Sequence, residues 1–512
     1  MNINSNGKSR IKPMKSQFLQ LGLTAALAFM LVSRVTAQAF TTLLNFQKNV
    51  SMSSPYSGPN GGLILSGNTL YGTAYEGGSL SAGMVFSIQT NGTGFTNLHN
   101  FSNGSDGAAP QGVLVLSGNT LYGTAGAGGT SRYGTVFSIQ TNGTGFTTVY
   151  NFLNGNAQEG WAAYPKGLIL SGNTLYGTTS YGGSSGVGTV FAIGTNGTGF
   201  MTPYNCNLIP NDNNLNVGYP NSGGAIPDAG VLLSGNNLYG TALSGGTFGY
   251  GTLFAVNTDG TGFNVLHNFT AASGTLGVYG TNSDGAVPSA GMILLGNTLY
   301  GTTYGGGTNG SGTLFAVSIG GTNFTVLHTF TATTGTSLYG YGINSDGANP
   351  SGGLIFSGNK VYGTTDFGGR FGSGTVFCVN TNGTGFTTLY NFTALSSSLI
   401  NNDGANPEAE LVLSGNTLYG TTTDGGSGGI GTVFSLSLPM PPPPPQLSIL
   451  LSGTNVILTW STNTTSYTVQ FATNIVPPII WTAVSPGAVI VNGQNTVTNF
   501  ISGKQKYYRL SQ

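Results

Sequence analysis

Charge is what this sequence has least of. Its 512 residues carry 13 Lys and Arg against 13 Asp and Glu, about 5% charged where an ordinary soluble domain is near 25%. Thirteen scattered cations at zero net charge exclude electrostatic tracking of a phosphate backbone, which needs clustered Lys and Arg, so nucleic acid is not an expected partner. Cysteine is nearly absent, with Cys206 and Cys378 alone, and their places in the repeat described below lie too far apart for a disulfide. No dense Asp-x-Asp run supplies the six or more oxygens of a calcium site, and no metal or other cofactor is expected. No apolar stretch after the N-terminal region is long enough to span a bilayer. Aromatic residues are not scarce: 24 Tyr, 28 Phe and a 38% hydrophobic content exclude a disordered chain.

The N-terminus reads as an export signal. Lys8, Arg10, Lys12 and Lys15 precede an apolar stretch from Leu19 to Val32, followed by small-residue cleavage sites after Ala37 and Ala39. Residues 1–39 are therefore assigned to a signal peptide, and the mature protein to a secreted, extracellular or cell-surface location.

Glycine, at 87 residues, is abundant because a unit repeats. Leu-Tyr-Gly-Thr, or Val-Tyr-Gly-Thr, begins at Leu70, Leu121, Leu175, Leu238, Leu299, Val361 and Leu418. The mean spacing of about 58 residues accommodates four short strands and their turns. In the sixth unit these are Gly353 to Phe356, Lys360 to Thr365, Gly374 to Val379 and Phe386 to Phe392, with Gly358-Asn359 and Asn382-Gly383 as hairpin turns. A fourth-strand pattern, Phe40 to Phe46, stands alone before the first unit, while the seventh unit stops after its third strand at Leu438. The two fragments sum to one unit. This predicts an all-β, seven-bladed β-propeller over residues 40–438, closed by the N-terminal strand so that no sheet edge is left bare.

The units, built from Asp-Gly-Ala-x-Pro, Leu-Ile-x-Ser-Gly-Asn, Leu-Tyr-Gly-Thr-Thr, Gly-Gly and Gly-Thr-Val-Phe, resemble the Gloeo/Verruco (GloVer) tandem repeat. That resemblance implies a secreted bacterial repeat protein and carries no catalytic residues with it. The Gly-Gly also resembles kelch blades, without their tryptophan. Residues 439–445, with six prolines, read as a semi-rigid linker. Residues 446–512, with the strand Val-Ile-Leu-Thr-Trp and then Tyr467-Thr468-Val469-Gln470, resemble a fibronectin type III or immunoglobulin-like β-sandwich, though a short one.

Function is sought on one face. The loops between second and third strands emerge on the same side as the long inter-unit connections, and together they carry Tyr75, Arg132, Tyr133, Trp161, Tyr181, Tyr250, Tyr304 and Arg370. Aromatic rings beside neutral polar groups suit the apolar faces and hydroxyls of sugars, so the expected partner of these residues is a polysaccharide or cell-surface glycan, bound by a monomer without catalysis. For each ring, packing of the Gly-rich loop is the competing reading. A second expectation is a carbohydrate-active enzyme. Glu76, Asp366 and Asp424 occupy corresponding loops of units that closure makes neighbours, with Arg370 nearby, and paired carboxylates run glycoside hydrolysis. A third is a structural or adhesive surface protein. Asp106, Asp284, Asp346 and Asp403 are read as caps of their own turns. His99, His267 and His328 share a position with Leu and Tyr and are read as packing residues, and the Asn-Gly-Thr triplets as hairpin turns.

Overall fold

The computed structural model describes residues 38–47, 58–153, 163–207, 218–273, 280–335, 342–439, 445–462, 467–477, 479–500 and 506–511. The proposed signal peptide, apart from Gln38 and Ala39, falls outside them, as do Trp161 and most of the proline stretch. The chain divides into a large unit, Ala39–Ser437, and a small one that takes in the residues from Leu438 onward.

The large unit is all-β and propeller-like. Among the described residues its strands form seven antiparallel sheets, numbered here in chain order. In the first sheet, Ile64–Ser66, Thr69–Ala74, Met84–Gln89 and Thr96–Asn100 pair in sequence order. The second sheet gains a short extra strand, Ala108–Pro110. The seventh sheet takes Val412–Ser414, Thr417–Thr422 and Thr432–Ser437 from the end of the unit and its outer strand, Phe40–Asn45, from the beginning, with Phe40 opposite Leu436 and Asn45 opposite Thr432.

Each recurring motif has a packing reason. The Leu of Leu-Tyr-Gly-Thr is fully buried in every copy that has it. Its Gly is required because the Phe of Gly-Thr-Val-Phe from the adjacent strand fills the space a side chain would take: a Cβ on Gly123 would lie 2.5 Å from Phe137 Cζ and 2.7 Å from Leu114 Cδ2. The Thr reaches the next sheet. Thr178 Oγ1 donates to Ala229 O at 2.7 Å, Thr241 to Ala290 O at 3.1 Å, and Thr421, in the seventh sheet, to Gly61 O in the first at 3.4 Å. Thr302 departs from the pattern, its buried hydroxyl having no hydrogen-bond partner.

The Pro that ends Asp-Gly-Ala-x-Pro, or stands at the matching place in the units that lack that sequence, packs on a glycine of the preceding sheet. A Cβ on Gly188 would lie 2.5 Å from Pro227 Cδ, and one on Gly431 of the seventh sheet 3.0 Å from Pro59 Cδ of the first. Cores accordingly sit between neighbouring sheets. One joins Val85 and Phe101 to Leu121 and Phe137, and another joins Phe434's neighbour Val433 and Tyr419 to Leu63, Leu70 and Phe86.

The outer strands are tied by stacked rings. His99 stacks on Phe146 of the second sheet at 3.7 Å, Tyr150 on Phe200 of the third at 4.3 Å, and Tyr390 of the sixth on Phe40 at 4.1 Å. Phe40 thus fills the place that a Gly-Phe turn supplies elsewhere.

Two local readings are corrected. The Asn-Gly turns are not two-residue hairpins: Gln89 N bonds Thr93 O at 2.9 Å, and Asn91 Oδ1 accepts from the Thr93 amide at 3.0 Å and hydroxyl at 2.7 Å, closing a longer loop. The repeated aspartates do not cap their own turns. Asp284 and Asp346 accept from His267 and His328 at 2.9 Å, Asp403 from the Tyr390 hydroxyl at 2.8 Å, and Asp346 and Asp403 also from the hydroxyls of Thr331 and Thr393. The turn itself is capped by an Asn two residues earlier, as when Asn282 Oδ1 accepts from Gly285 N at 2.9 Å. Burial acts to raise Asp106, but hydrogen bonds from Ser102 and His99 outweigh it and hold the carboxyl below its ordinary range. Cys206 and Cys378 are buried and free.

Gly123→Ala is expected to cost about 3 kcal/mol, since neither Phe137 nor Leu114 has room to retreat. Gly172→Ala, at a φ of +59° with nothing within 4 Å, should cost about 1 kcal/mol. Denaturant midpoints of the two variants check the order; equal losses would show that the ring over Gly123 yields.

The small unit has two antiparallel sheets, one of Ser448–Ser452, Asn455–Ser461, Gln494–Phe500 and Val489–Val491, the other of Thr482–Ala483, Thr468–Ala472 and Tyr507–Ser511. They share a core of Val456, Leu458, Trp460, Val469, Val484 and Val497. Among the described residues no helix is long and apolar enough to cross a membrane.

Candidate functional site

The residue after the repeated proline is Asn60, Gln111, Lys166, Asp228, Ser289, Ser351 and Glu408 in the seven sheets, and all seven line one cavity of about 480 Å³. Local strain sets them there. The residue before the proline has positive φ in six sheets, including the β-branched Ile226 (58°) and Val287 (59°), a conformation such residues seldom accept. The bend seats the proline on the preceding sheet and turns the following residue toward the cavity.

The lining is polar and uneven. Lys166 Nζ lies 3.0 Å from Asp228 Oδ1 and donates to Gln111 Oε1 at 3.0 Å, and Ser180 Oγ donates to Asp228 Oδ1 at 2.7 Å, linking the second, third and fourth sheets. Across the first and seventh sheets Asn60 Nδ2 donates to Glu408 Oε2 at 3.2 Å. The hydroxyls of Ser289 and Ser351 are buried without a partner.

Acids gather on the seventh-sheet side. Burial, then the charge of Asp424, pushes Glu408 up to about 7 against the pull of Thr423, Lys166 and Asn60. Burial alone pushes Glu410, which also lines the cavity, and Asp424 to about 7. Asp366, 4% exposed, is raised well above the carboxylate range by burial and by the charges of Glu408 and Asp424, although Asn406 bonds it. Oδ1 of Asp366 and Oδ1 of Asp424 are buried with no hydrogen-bond partner.

A model of the Gloeobacter/Verrucomicrobia repeat matches residues 29–215, 210–341 and 275–441. The chain belongs to the Gloeobacter/Verrucomicrobia repeat family. No curated protein matches it. Among solved structures it is similar to a manganese complex of an oligogalacturonate lyase, at TM-score 0.42 and 10% identity over 79% of this chain and 97% of that one. A Vibrio parahaemolyticus oligogalacturonate lyase is similar at TM-score 0.42 and 8% identity with the same coverage. A putative 6-phosphogluconolactonase from Bacteroides uniformis is similar at TM-score 0.39 and 13% identity, over 66% of this chain and 86% of that one.

Within this Gloeobacter/Verrucomicrobia repeat the residues expected to act scatter. The charge of Asp424 does act on Asp366, but so does that of Glu408, and the charge of Glu76 acts instead on Tyr75. Arg370 is exposed, with its guanidinium 5.4 Å from the Phe371 ring centre. Arg132 is exposed at a φ of 67°. Tyr250 is buried, its hydroxyl donating to Ala272 O at 3.4 Å, and so packs its loop. Tyr133 and Tyr304 are half-buried against the inter-sheet cores.

Tyr75 and Tyr181 stand apart from these. Burial raises both phenols, and the next contributions are Tyr164 for Tyr75 and Asp228 for Tyr181. Tyr164 meets Tyr181 edge-on at 5.9 Å, and Tyr164 Cδ1 and Gln111 Nε2 lie 3.3 and 3.2 Å from where a Cβ on Gly126 would stand. Three tyrosines therefore group beside lining residues of the cavity. Sequence reading passed over the post-proline residues, Tyr164, Glu408 and Glu410. Their signal was a position that changes chemistry in nearly every unit while its neighbours repeat, and the acidic pair in Pro407-Glu408-Ala409-Glu410, where four other units have Gly in the place of Glu410.

Proposed function

We propose that residues 40–437 form a closed seven-bladed β-propeller that binds extracellular polysaccharide, without turning it over, at the mouth of its axial cavity. Closure is supported by the pairing of Phe40–Asn45 with Thr432–Ser437, by the Thr421 to Gly61 hydrogen bond and by the seating of Pro59 on Gly431. The observation that carries the binding reading is the grouping of Tyr75, Tyr164 and Tyr181 beside the polar lining of Gln111, Lys166 and Asp228. Rings of this kind cover the apolar face of a sugar while the lining groups bond its hydroxyls. Export is part of the same reading, and cleavage after Ala37 or Ala39 leaves the strand beginning at Phe40 free to pair. The small unit, with four- and three-stranded sheets on one core, fits a fibronectin type III or immunoglobulin-like attachment module.

Binding of the full mature chain to a panel of neutral, acidic and amino polysaccharides tests this. At least one should bind, and Tyr75→Ala and Tyr181→Ala should each weaken it about tenfold with the thermal midpoint kept. Failure of every glycan against a folded protein overturns the reading. A second reading, a glycan-cleaving enzyme, is favoured by Glu408 and Glu410, since a carboxyl still protonated near neutral pH is what a general acid must be. Release of reducing ends from the bound polysaccharide, lost in Glu408→Gln, would replace the first reading with this one.

A further inference from the structure

Glu408 and Glu410 lie two apart on one segment and both line the cavity, and the carbonyl of Ala409 between them accepts from Thr364 of the sixth sheet. The position of Glu410 is Gly62, Gly230, Gly291 and Gly353 in the first, fourth, fifth and sixth sheets. At four of the seven places no side chain stands, and at this one a carboxylate does. Glu410 Oε2 comes within 3.2 Å of where a Cβ on Gly353 would stand.

Asn60 donates to Glu408 and the charge of Lys166 pulls on it, but no cation is paired with either glutamate among the described residues. Lys166, the cation among the lining residues, is already held by Asp228 and Gln111. Asp366 is 4% exposed, the charges of Glu408 and Asp424 act on it, and its Oδ1 has no hydrogen-bond partner. Two further unpartnered groups, the Ser289 and Ser351 hydroxyls, line the same cavity.

The donor set favours an ammonium group over a metal. Among the described residues no group of three or more His, Cys, Asp or Glu is arranged to hold a metal ion. A primary ammonium needs only separate acceptors for its three N–H groups, and bonds to ionised acceptors out of bulk water are the strong ones. The cavity, about 480 Å³, is of the size that encloses small organic ligands. Ser289, Ser351, Asn60 and Gln111 offer partners to hydroxyls.

We infer that the axial cavity selects glycans bearing a free amino group, the sugar ammonium sitting against Glu408 and Glu410 and the ring hydroxyls on the serine side. This rests on the glycan reading above and narrows it to one ligand class. Isothermal titration of the full mature chain at pH 7 with a glucosamine trimer and with its fully N-acetylated counterpart tests it. The amine form should bind at least tenfold tighter. Glu410→Gln and Glu408→Gln should each weaken the amine form about tenfold and leave the acetylated form unchanged, with thermal midpoints confirming folding. If one variant does not fold, the other and Ser351→Ala carry the comparison. Equal or tighter binding of the acetylated trimer overturns the inference while leaving the glycan reading standing, as does amine binding that ignores both glutamates. A lysine-rich peptide that binds as well as the sugar, with the same dependence on the glutamates, overturns the sugar assignment. Silence from both trimers and from the whole polysaccharide panel brings down the glycan reading itself.

Discussion

Raising the pH from 5 to 8 should lower the thermal midpoint of the unliganded protein by about 5 °C or more, and Glu410→Gln should recover part of that loss at pH 8 while changing little at pH 5. The sign follows from the direction of the shifts. Glu408, Glu410 and Asp424 are pushed up to about 7 in the folded chain, against ordinary values near 4 when unfolded. Between these limits the folded state holds protons that the unfolded state has released, so stability is complete below about pH 4 and is lost as pH climbs through 7. Each group contributes on the order of 1–3 kcal/mol across that window. Asp106, held below its ordinary range, works in the opposite direction only at lower pH and does not mask the effect. Thermal scans across pH 5 to 8 check the prediction, and a flat profile would mean the acids are hydrated and unshifted. An amine-bearing ligand should reverse the trend by stabilising the ionised carboxylates.

Removal of residues 38–46 should be more damaging than any single substitution in the repeat. It strips the outer strand from the seventh sheet and leaves the Thr432–Ser437 edge unpaired, an invitation to aggregate. It also uncovers three rings at once, because Phe40 stacks on Tyr390 at 4.1 Å and on Phe434 at 5.4 Å and meets Phe392 edge-on at 5.8 Å. Phe40→Ala alone should cost about 3 kcal/mol. The truncated chain should unfold at least 10 °C lower or fail to accumulate as a monomer, and a peptide of the missing strand should rescue it. A truncated chain that melts like the intact one would show that the first and seventh sheets hold together without the strand.

The repeat was legible because each of its parts answers to a local rule. Leu70 and its six counterparts mark a strand packed on both faces, Gly123 marks a ring lying over the backbone, and the lone Phe40 to Phe46 pattern marks a strand whose sheet lies elsewhere in the chain. Reading faltered where a side chain's partner comes from another strand. Asp284 looked like a turn cap because Gly285 follows it, yet its bonds go to His267 on the strand before, and Asn282 does the capping. His267 looked like a packing residue and is one, stacked on Phe324, but it is a hydrogen-bond partner as well.

The candidate site shows the same division. Asp366 and Asp424 were found by counting corresponding loops, and Glu76 was included by the same count, although its charge falls on Tyr75. Glu408 and Glu410 were passed over because a short segment beside a repeated proline looks like a connection until it is placed at the cavity. Composition, period and turn chemistry alone determined that this chain is an all-β repeat with very little charge, since strands pressed between sheets leave almost no room for it. Tertiary structure decided which of the few charges matter. Only when seven post-proline positions, about 58 residues apart in the chain, are brought to one cavity do Glu408, Glu410 and Lys166 become neighbours, because electrostatics depends on distance in space and the sequence records only distance along the chain.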